Sequence, residues 1–326
     1  MSSTVLTGRA TTTPGSGSRF AIDVRHFLSQ HPRQLPSRYL YDELGSALFE
    51  AICLLPWYPL TRAELRLLKS HAREILDAGV TTVIELGSGS GAKLSALIAK
   101  AGTGRGRLDL HLVDVSRSAL AQAGRALEGF ADVRIVPHET TYELGLEEFG
   151  RAKPAAGRRL ALFLGSNIGN FDPPGRDAFL GTVRTALGAG DGLLLGADLL
   201  KPEPELLLAY DDPLGVTAAF NLNLLSRIDR DLQGDFDLDA FAHRALWNED
   251  LSRIEMRLLS RRRQRITIRG ADLEFVMDEG EMIWTESSYK YDPAGIVSML
   301  ERSGFRLRAQ WIDSVDRFAL TLAEAV

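Results

Sequence analysis

Cysteine is nearly absent: Cys53 stands alone in 326 residues, so no internal disulfide can form. A chain of this kind is held together by burial, and a reducing, cytoplasmic home is expected. Long apolar runs are missing too. The longest, "GLLLGADLL", has the length of a strand and falls well short of the ~20 residues a membrane-spanning helix needs. The opening "MSSTVLTGRATTTPGSGSRF" has no basic start followed by an apolar stretch, so residues 1–19 are expected to be a flexible tail and not a signal peptide. Nor is there an excess of positive charge. Lys and Arg total 38 against 43 Asp and Glu, a net charge of −5, which gives no global field for nucleic acid. The one basic cluster, "RLLSRRRQRITIR" (257–269), is interleaved with apolar residues and is expected to form a solvated hairpin. Neither a nucleic-acid nor a membrane partner is expected, and a monomer is the expected state.

Apolar residues, by contrast, make up 45% of the chain, enough for a large core in two domains or one enlarged one. Helical spacing runs through 41–56, and again through 62–79 with Gly79 as a left-handed stop. From residue 81 short β-branched runs alternate with helical stretches. Strands are expected at 81–86, 108–116, 133–139, 159–171 and 191–200, which implies a parallel sheet covered by helices on both faces. The rhythm breaks after Leu200 and resumes with a helix at 292–304. Two closing strands, "FRLRAQWID" and "RFALTLAEA", are joined too tightly for a parallel crossover, so they should pair antiparallel. Residues 63–200 and 289–326 are expected to form the core domain. Residues 20–62 and 201–288 are expected to form a second, α+β domain over the sheet's carboxyl edge.

"VIELGSGSGAK" puts Gly87, Gly89 and Gly91 at a strand-to-helix turn after Glu85, where backbone can approach a ligand and helix N–H groups are free. Counted from Gly87, the sixth position is Ala92, so the dinucleotide pattern G-x-G-x-x-A is formally met. Asp114 ends the next strand, 23 residues beyond Gly91, where a carboxylate can accept both ribose hydroxyls. Spacing alone therefore indicates a nucleoside and leaves a nicotinamide cofactor open.

The acidic residue before G-x-G-x-G and the terminal antiparallel pair resemble class I S-adenosylmethionine-dependent methyltransferases, a Rossmann-like α/β fold with a seven-stranded sheet. Five longer blocks are more specific: 41–64, 162–173, 209–225, "RIEMRLLS" and "WTESSYKY". They resemble, in order, the histidine-specific methyltransferases that make Nα-trimethylhistidine (hercynine), the first step of ergothioneine biosynthesis. The resemblance implies S-adenosyl-L-methionine as cofactor and L-histidine as substrate. It places Gly87, Gly89, Lys93, Asp114, Thr141 and Tyr142 on the cofactor side, with Tyr41 between cofactor and substrate amine. It places Tyr58, Asn170, Tyr210, Met256, Glu286 and Ser288 around the amino acid, with Asn170 at the α-groups, Tyr210 at the carboxylate and Met256 along the side chain.

Glu286 and Ser288 are two apart on a strand and so share a face. A neutral imidazole offers one donor and one acceptor, which a carboxylate and a hydroxyl can match. No residue is assigned as a catalytic acid or base; Tyr41 and Asn170 are expected to orient the amine. Three rival readings stay open. They are N-methylation of another amino acid such as tryptophan, whose indole has no ring acceptor for Ser288; a nicotinamide-dependent oxidoreductase; and a silent binding protein on the same fold.

Overall fold

The computed structural model describes residues 18–102, 106–151 and 157–326. The tail expectation falls outside these for residues 1–17; Ser18 caps the first helix, its hydroxyl accepting from the Ala21 N–H, and Arg19 opens it. The chain begins with α1 (Arg19–Leu28), a two-residue β1 (Arg33–Gln34) and α2 (Glu43–Leu54). Next come α3 (Leu60–Ser70) and the short α4 (Ala72–Ile75). The alternating region follows as β2 (Val80–Leu86), α5 (Ala92–Ala101), β3 (Leu108–Asp114), α6 (Arg117–Leu127) and β4 (Val133–Glu139). It continues through α7 (Tyr142–Arg151), β5 (Arg158–Phe163), α8 (Pro173–Ala186) and β6 (Gly192–Asp198).

Helices α9 (Glu203–Tyr210) and α10 (Val216–Leu232) then lead into β7 (Phe241–Asn248), β8 (Arg253–Ser260), β9 (Gln264–Ile268), β10 (Leu273–Met277) and β11 (Met282–Tyr289). Helix α11 (Pro293–Arg302) and strands β12 (Phe305–Asp313) and β13 (Phe318–Ala325) close the chain.

The main sheet has seven strands in the order β12-β13-β6-β5-β2-β3-β4. Strands β2 to β6 are mutually parallel, and β13 runs against both β6 and β12. The central strands are buried on both faces, as their near-continuous apolar sequences require. A second sheet of four strands, β1-β11-β8-β7, and a separate β9–β10 pair come from the insertion and the N-terminal region. Helix α10 packs across α2, β7 and β8. The two sheets meet in backbone at one place: Leu199, just after β6, bridges Tyr291, just after β11, and the Tyr291 N–H donates to the Asp198 carbonyl at 3.1 Å.

Three local expectations are corrected. The helix expected over 62–79 breaks at His71 (φ −111°, ψ 16°), whose ring stacks on Trp311, and its second piece ends at Ile75. Gly79 is not left-handed; its N–H bonds to the Asp77 carboxylate, a local bond that competes with continued helix. The strand expected over 159–171 stops at Phe163, because Gly165 (φ 76°) and Ser166 (φ 60°) turn the chain into a 3₁₀ turn at Asn167–Asn170. The basic segment 257–269 is not a hairpin. Strand β8 pairs with β7 and β11, while β9 pairs with β10. Four of its six arginines pair with acids, Arg257 with Glu255, Arg262 with Asp237, Arg263 with Asp278 and Arg265 with Glu274.

Strand β11 carries a bulge. Trp284 faces Arg257 on β8, but Glu286 faces Met256, so Thr285 is an extra residue. The alternation flips there, and Trp284 and Glu286 lie on opposite faces although they are two apart. Beyond the bulge Glu286, Ser288, Met256 and Ile254 share one face.

The glycine turn after β2 is equally constrained. Gly91 has φ 74°, and a Cβ there would come within 2.7 Å of the Ala123 backbone on α6. Gly91→Ala is expected to lower stability by about 1–3 kcal/mol in chemical denaturation, from strain and from the displaced helix.

Candidate active site

The carboxyl ends of β2, β3, β5 and β6 converge beneath the second sheet, the usual ligand position in an open parallel sheet. Gly87, Gly89 and Gly91 all have positive φ (79°, 49° and 74°), which lets the turn wrap tightly into α5. A Cβ on Gly87 would stand 3.0 Å from the Tyr142 hydroxyl and 3.2 Å from Asn167 Nδ2, so a larger residue would fill the space over this loop. Asp114 accepts from the Gly89 N–H (3.1 Å) and the Ser116 N–H (2.9 Å). Each of its oxygens keeps a lone pair for a further donor such as a ribose hydroxyl. Burial raises its pKa against those backbone bonds. Burial likewise pushes the Glu85 carboxyl up to about 8, with the Lys93 ammonium opposing, and its Oε2 has no partner. This set of left-handed glycines, a half-satisfied Asp114 and an orphaned buried oxygen fits a polar nucleoside-bearing ligand.

Lys93 is engaged rather than free. Its ammonium lies 2.6 Å from Glu64 of α3, and Glu64, fully buried, also accepts the Gly165 N–H at 2.8 Å. Sequence reasoning did not single out Glu64, which ties the glycine-loop helix to the turn after β5. Tyr142 opens α7 with its hydroxyl over Gly87 and its ring among Phe163 and Phe179. Thr141 precedes it, and the neighbouring Thr140 N–H bonds to the Asp114 carbonyl, so this segment borders the same cleft.

Next to the glycine loop is a small, partly open cavity. Tyr41, Tyr58, Asn170, Tyr210, Met256, Glu286 and Ser288 all line it. Phe49, Ile52 and Phe220 supply apolar wall that the sequence did not reveal. Gly165, Ser166 and Asn167 form the seam, since Asn167 lines the cavity and also stands at Gly87. The tyrosines meet edge to face: Tyr58 with Tyr210 at 6.0 Å, Tyr41 with Phe220 at 5.5 Å. Burial raises the pKa of all three, so they stand as neutral phenols.

Asn170 Nδ2 donates to Glu286 Oε1 at 3.3 Å. Tyr210, expected at a carboxylate, has its hydroxyl 2.8 Å from Ser288 Oγ. Two residues absent from the sequence reading complete this corner. Lys290 donates to Tyr210 Oη (2.8 Å) and Ser288 Oγ (2.9 Å) and pairs with Asp198 at 2.9 Å. Asp198 is also held by Lys201 at 2.7 Å. Burial disfavours the Lys290 charge, but Asp198 and Tyr210 hold its pKa above the ordinary value. The alternation that picked out Glu286 and Ser288 extends to Lys290 and was the available signal.

A seven-stranded sheet with its last strand reversed, a glycine loop and acid at its carboxyl edge, and an adjoining polar cavity together define a class I S-adenosylmethionine-dependent methyltransferase. The comparisons with known proteins narrow this. The family described as "Histidine-specific methyltransferase, SAM-dependent" matches residues 20–325, and the chain belongs to that family. It is 41% identical to a histidine N-alpha-methyltransferase of Mycolicibacterium smegmatis over 92% of this chain and 93% of that one. It is 40% identical to the histidine N-alpha-methyltransferase of Mycobacterium tuberculosis, again over 92% and 93%. Ergothioneine biosynthesis protein 1 of Neurospora crassa matches at 30% identity over 78% of this chain and 31% of that much longer one. Among the described residues no helix is long and apolar enough to cross a membrane.

Burial raises the Glu286 pKa from 4.5 to about 7, with Lys290 opposing. Between those values the folded chain holds a proton there that the unfolded chain has released, so this carboxyl costs stability as pH rises through the window. Glu286→Gln removes the cost while keeping an acceptor for Asn170. The unliganded variant is expected to exceed the parent at about pH 8 by on the order of 1–3 kcal/mol, the gain fading as pH falls toward about 4.5. Thermal unfolding across that pH range checks it.

Proposed function

We propose that this chain methylates the α-amino group of L-histidine, in steps, to the trimethyl product that begins ergothioneine biosynthesis. The observation that carries the reading is the pairing on one face of β11. Glu286 and Ser288 stand side by side on the cavity wall, an acceptor and a hydroxyl for a ring with one N–H and one bare nitrogen. The two sequence-distant groups of substrate residues, 41–58 and 170–288, line the same cavity, which supports it further.

In this reading Gly87, Gly89, Asp114, Thr141 and Tyr142 hold S-adenosyl-L-methionine, with Lys93 at the rim. When bound, it supplies a methyl already activated on a sulfonium. The protein's task is then to hold and orient the amine. Asn170 and Tyr41 position the α-amino group, and Tyr58 and Tyr210 line the path beside it. An α-ammonium has an ordinary pKa of ~8, so a modest depression in this apolar, phenol-lined cavity frees the lone pair without a strong base. The tyrosine faces accept the growing cationic character of the product by cation–π attraction. Met256, directly opposite Glu286 across the strands, packs along the side chain. The N-terminal segment through α2 and the insertion from α9 to β11 act in this reading as the substrate-binding domain, carried on the sheet of the methyltransferase core.

Incubation with S-adenosylmethionine and histidine is expected to give products heavier by about one, two and three methylene units in sequence, read by mass spectrometry. A monomethyl end point would count against the reading. Glu286→Ala should weaken histidine binding by about 1–3 kcal/mol, a roughly 5- to 150-fold loss, and leave cofactor binding nearly intact. Asp114→Ala should do the reverse. Calorimetric titration of each ligand separates the two effects.

A further inference from the structure

We infer that Lys290 is a positioning residue for ring recognition: it turns Ser288 into an obligate donor toward the cavity, so the site selects a ring that presents a bare nitrogen there. This rests on the reading of Glu286 and Ser288 given above.

The argument is a count of protons. The Lys290 side chain is fully buried and carries three N–H donors and no lone pair. Two are directed at Tyr210 Oη (2.8 Å) and Ser288 Oγ (2.9 Å), and the ammonium forms an ion pair with Asp198 Oδ2 (2.9 Å). Both hydroxyl oxygens must therefore accept from it. They also lie 2.8 Å from each other, so one donates to the other. The phenol, with an ordinary pKa of ~10, is the more acidic and is the donor. Ser288 Oγ then accepts twice, its lone pairs are filled, and its own proton has one direction left. That direction is the cavity, which Ser288 lines beside Glu286.

The consequence is a polarity fixed at two neighbouring points, a donor at Ser288 and an acceptor at Glu286. A neutral imidazole matches both. A ring with C–H in place of the bare nitrogen leaves the Ser288 proton unpaired, and a cationic ring brings a second N–H and a second positive charge toward Lys290. Without Lys290 the Ser288–Tyr210 bond can reverse, and the polarity is lost. Asp198 keeps Lys201 as its partner in that case.

The test uses Lys290→Met in the full chain saturated with S-adenosylhomocysteine. Dissociation constants are measured by calorimetry for histidine and for the two pyrrolylalanines, each of which keeps a ring N–H and replaces the acceptor nitrogen by C–H. Histidine should bind about tenfold more weakly than to the parent, the pyrrolylalanines should change less than about threefold, and the parent's preference for histidine should narrow accordingly. Affinity for S-adenosylhomocysteine should stay as in the parent. An equal loss for all three amino acids, or an unchanged histidine constant, overturns the inference. Should Lys290→Met fail to fold, Lys290→Gln, which keeps a neutral donor, should narrow the preference in the same direction by less, and an unchanged preference overturns the inference as well. A parent protein that methylates no histidine overturns the proposed function itself; a parent that does, with the preference untouched by the substitutions, overturns only the role of Lys290.

Discussion

The buried pairing of Asp198 with Lys290 is the joint on which the arrangement depends. Asp198 closes β6 of the main sheet and Lys290 directly follows β11 of the smaller one. Around the charges the backbone is also knit, Tyr291 to Asp198 and Leu200 to Tyr291. Burying two ions is costly unless they are matched and their remaining donors and acceptors filled. Here Lys201 adds a second positive charge beside Asp198, and two hydroxyls accept from Lys290. A joint of this kind is intolerant of small shifts, and that intolerance fixes where the substrate sheet sits above the carboxyl edge.

The rest of the site follows from what that joint brings close. The turn after β5 is squeezed between the two sheets: Gly165 bonds Glu64 below, and Asn170 reaches Glu286 above. A Cβ on Gly169 would stand 2.8 Å from the Tyr289 carbonyl, so this turn and β11 are in direct backbone contact. The same short segment borders the glycine loop through Asn167. Cofactor loop and amino-acid cavity are thus not separate modules with a gap between them. They share one wall six residues long, Gly165–Asn170, and a reacting pair lodged on either side is held close with little added search.

Much of this was legible in the chain. The seven core strands, the reversed last strand and the glycine turn follow from local pattern, because apolar period and turn residues act over a few positions. Glu286 and Ser288 were legible as a pair for the same reason. Glu64 was not: nothing in "RAELRLLKS" marks its third residue as buried against the turn after β5, since the contact is made by folding and not by neighbours. Asp198 looks like an ordinary strand-end acid until Lys290 is placed beside it. The bulge at Thr285 was likewise hidden, as "MIWTESSY" reads equally well as an unbroken alternation. The misplaced hairpin at 257–269 has the same origin: strand pairing is a choice among partners, and local sequence does not say which partner wins.

The bulge at Thr285 ties strand pairing to chemistry. Were Thr285 paired in regular register opposite Met256, Glu286 would fall opposite Glu255 and face the other side, where Arg253, Glu255 and Arg257 already lie. The cavity would then lose its carboxylate while every catalytic and cofactor residue stayed unchanged. The side on which the carboxylate stands is thus set by a slip in the pairing of two strands, and not by the identity of the residue at that position.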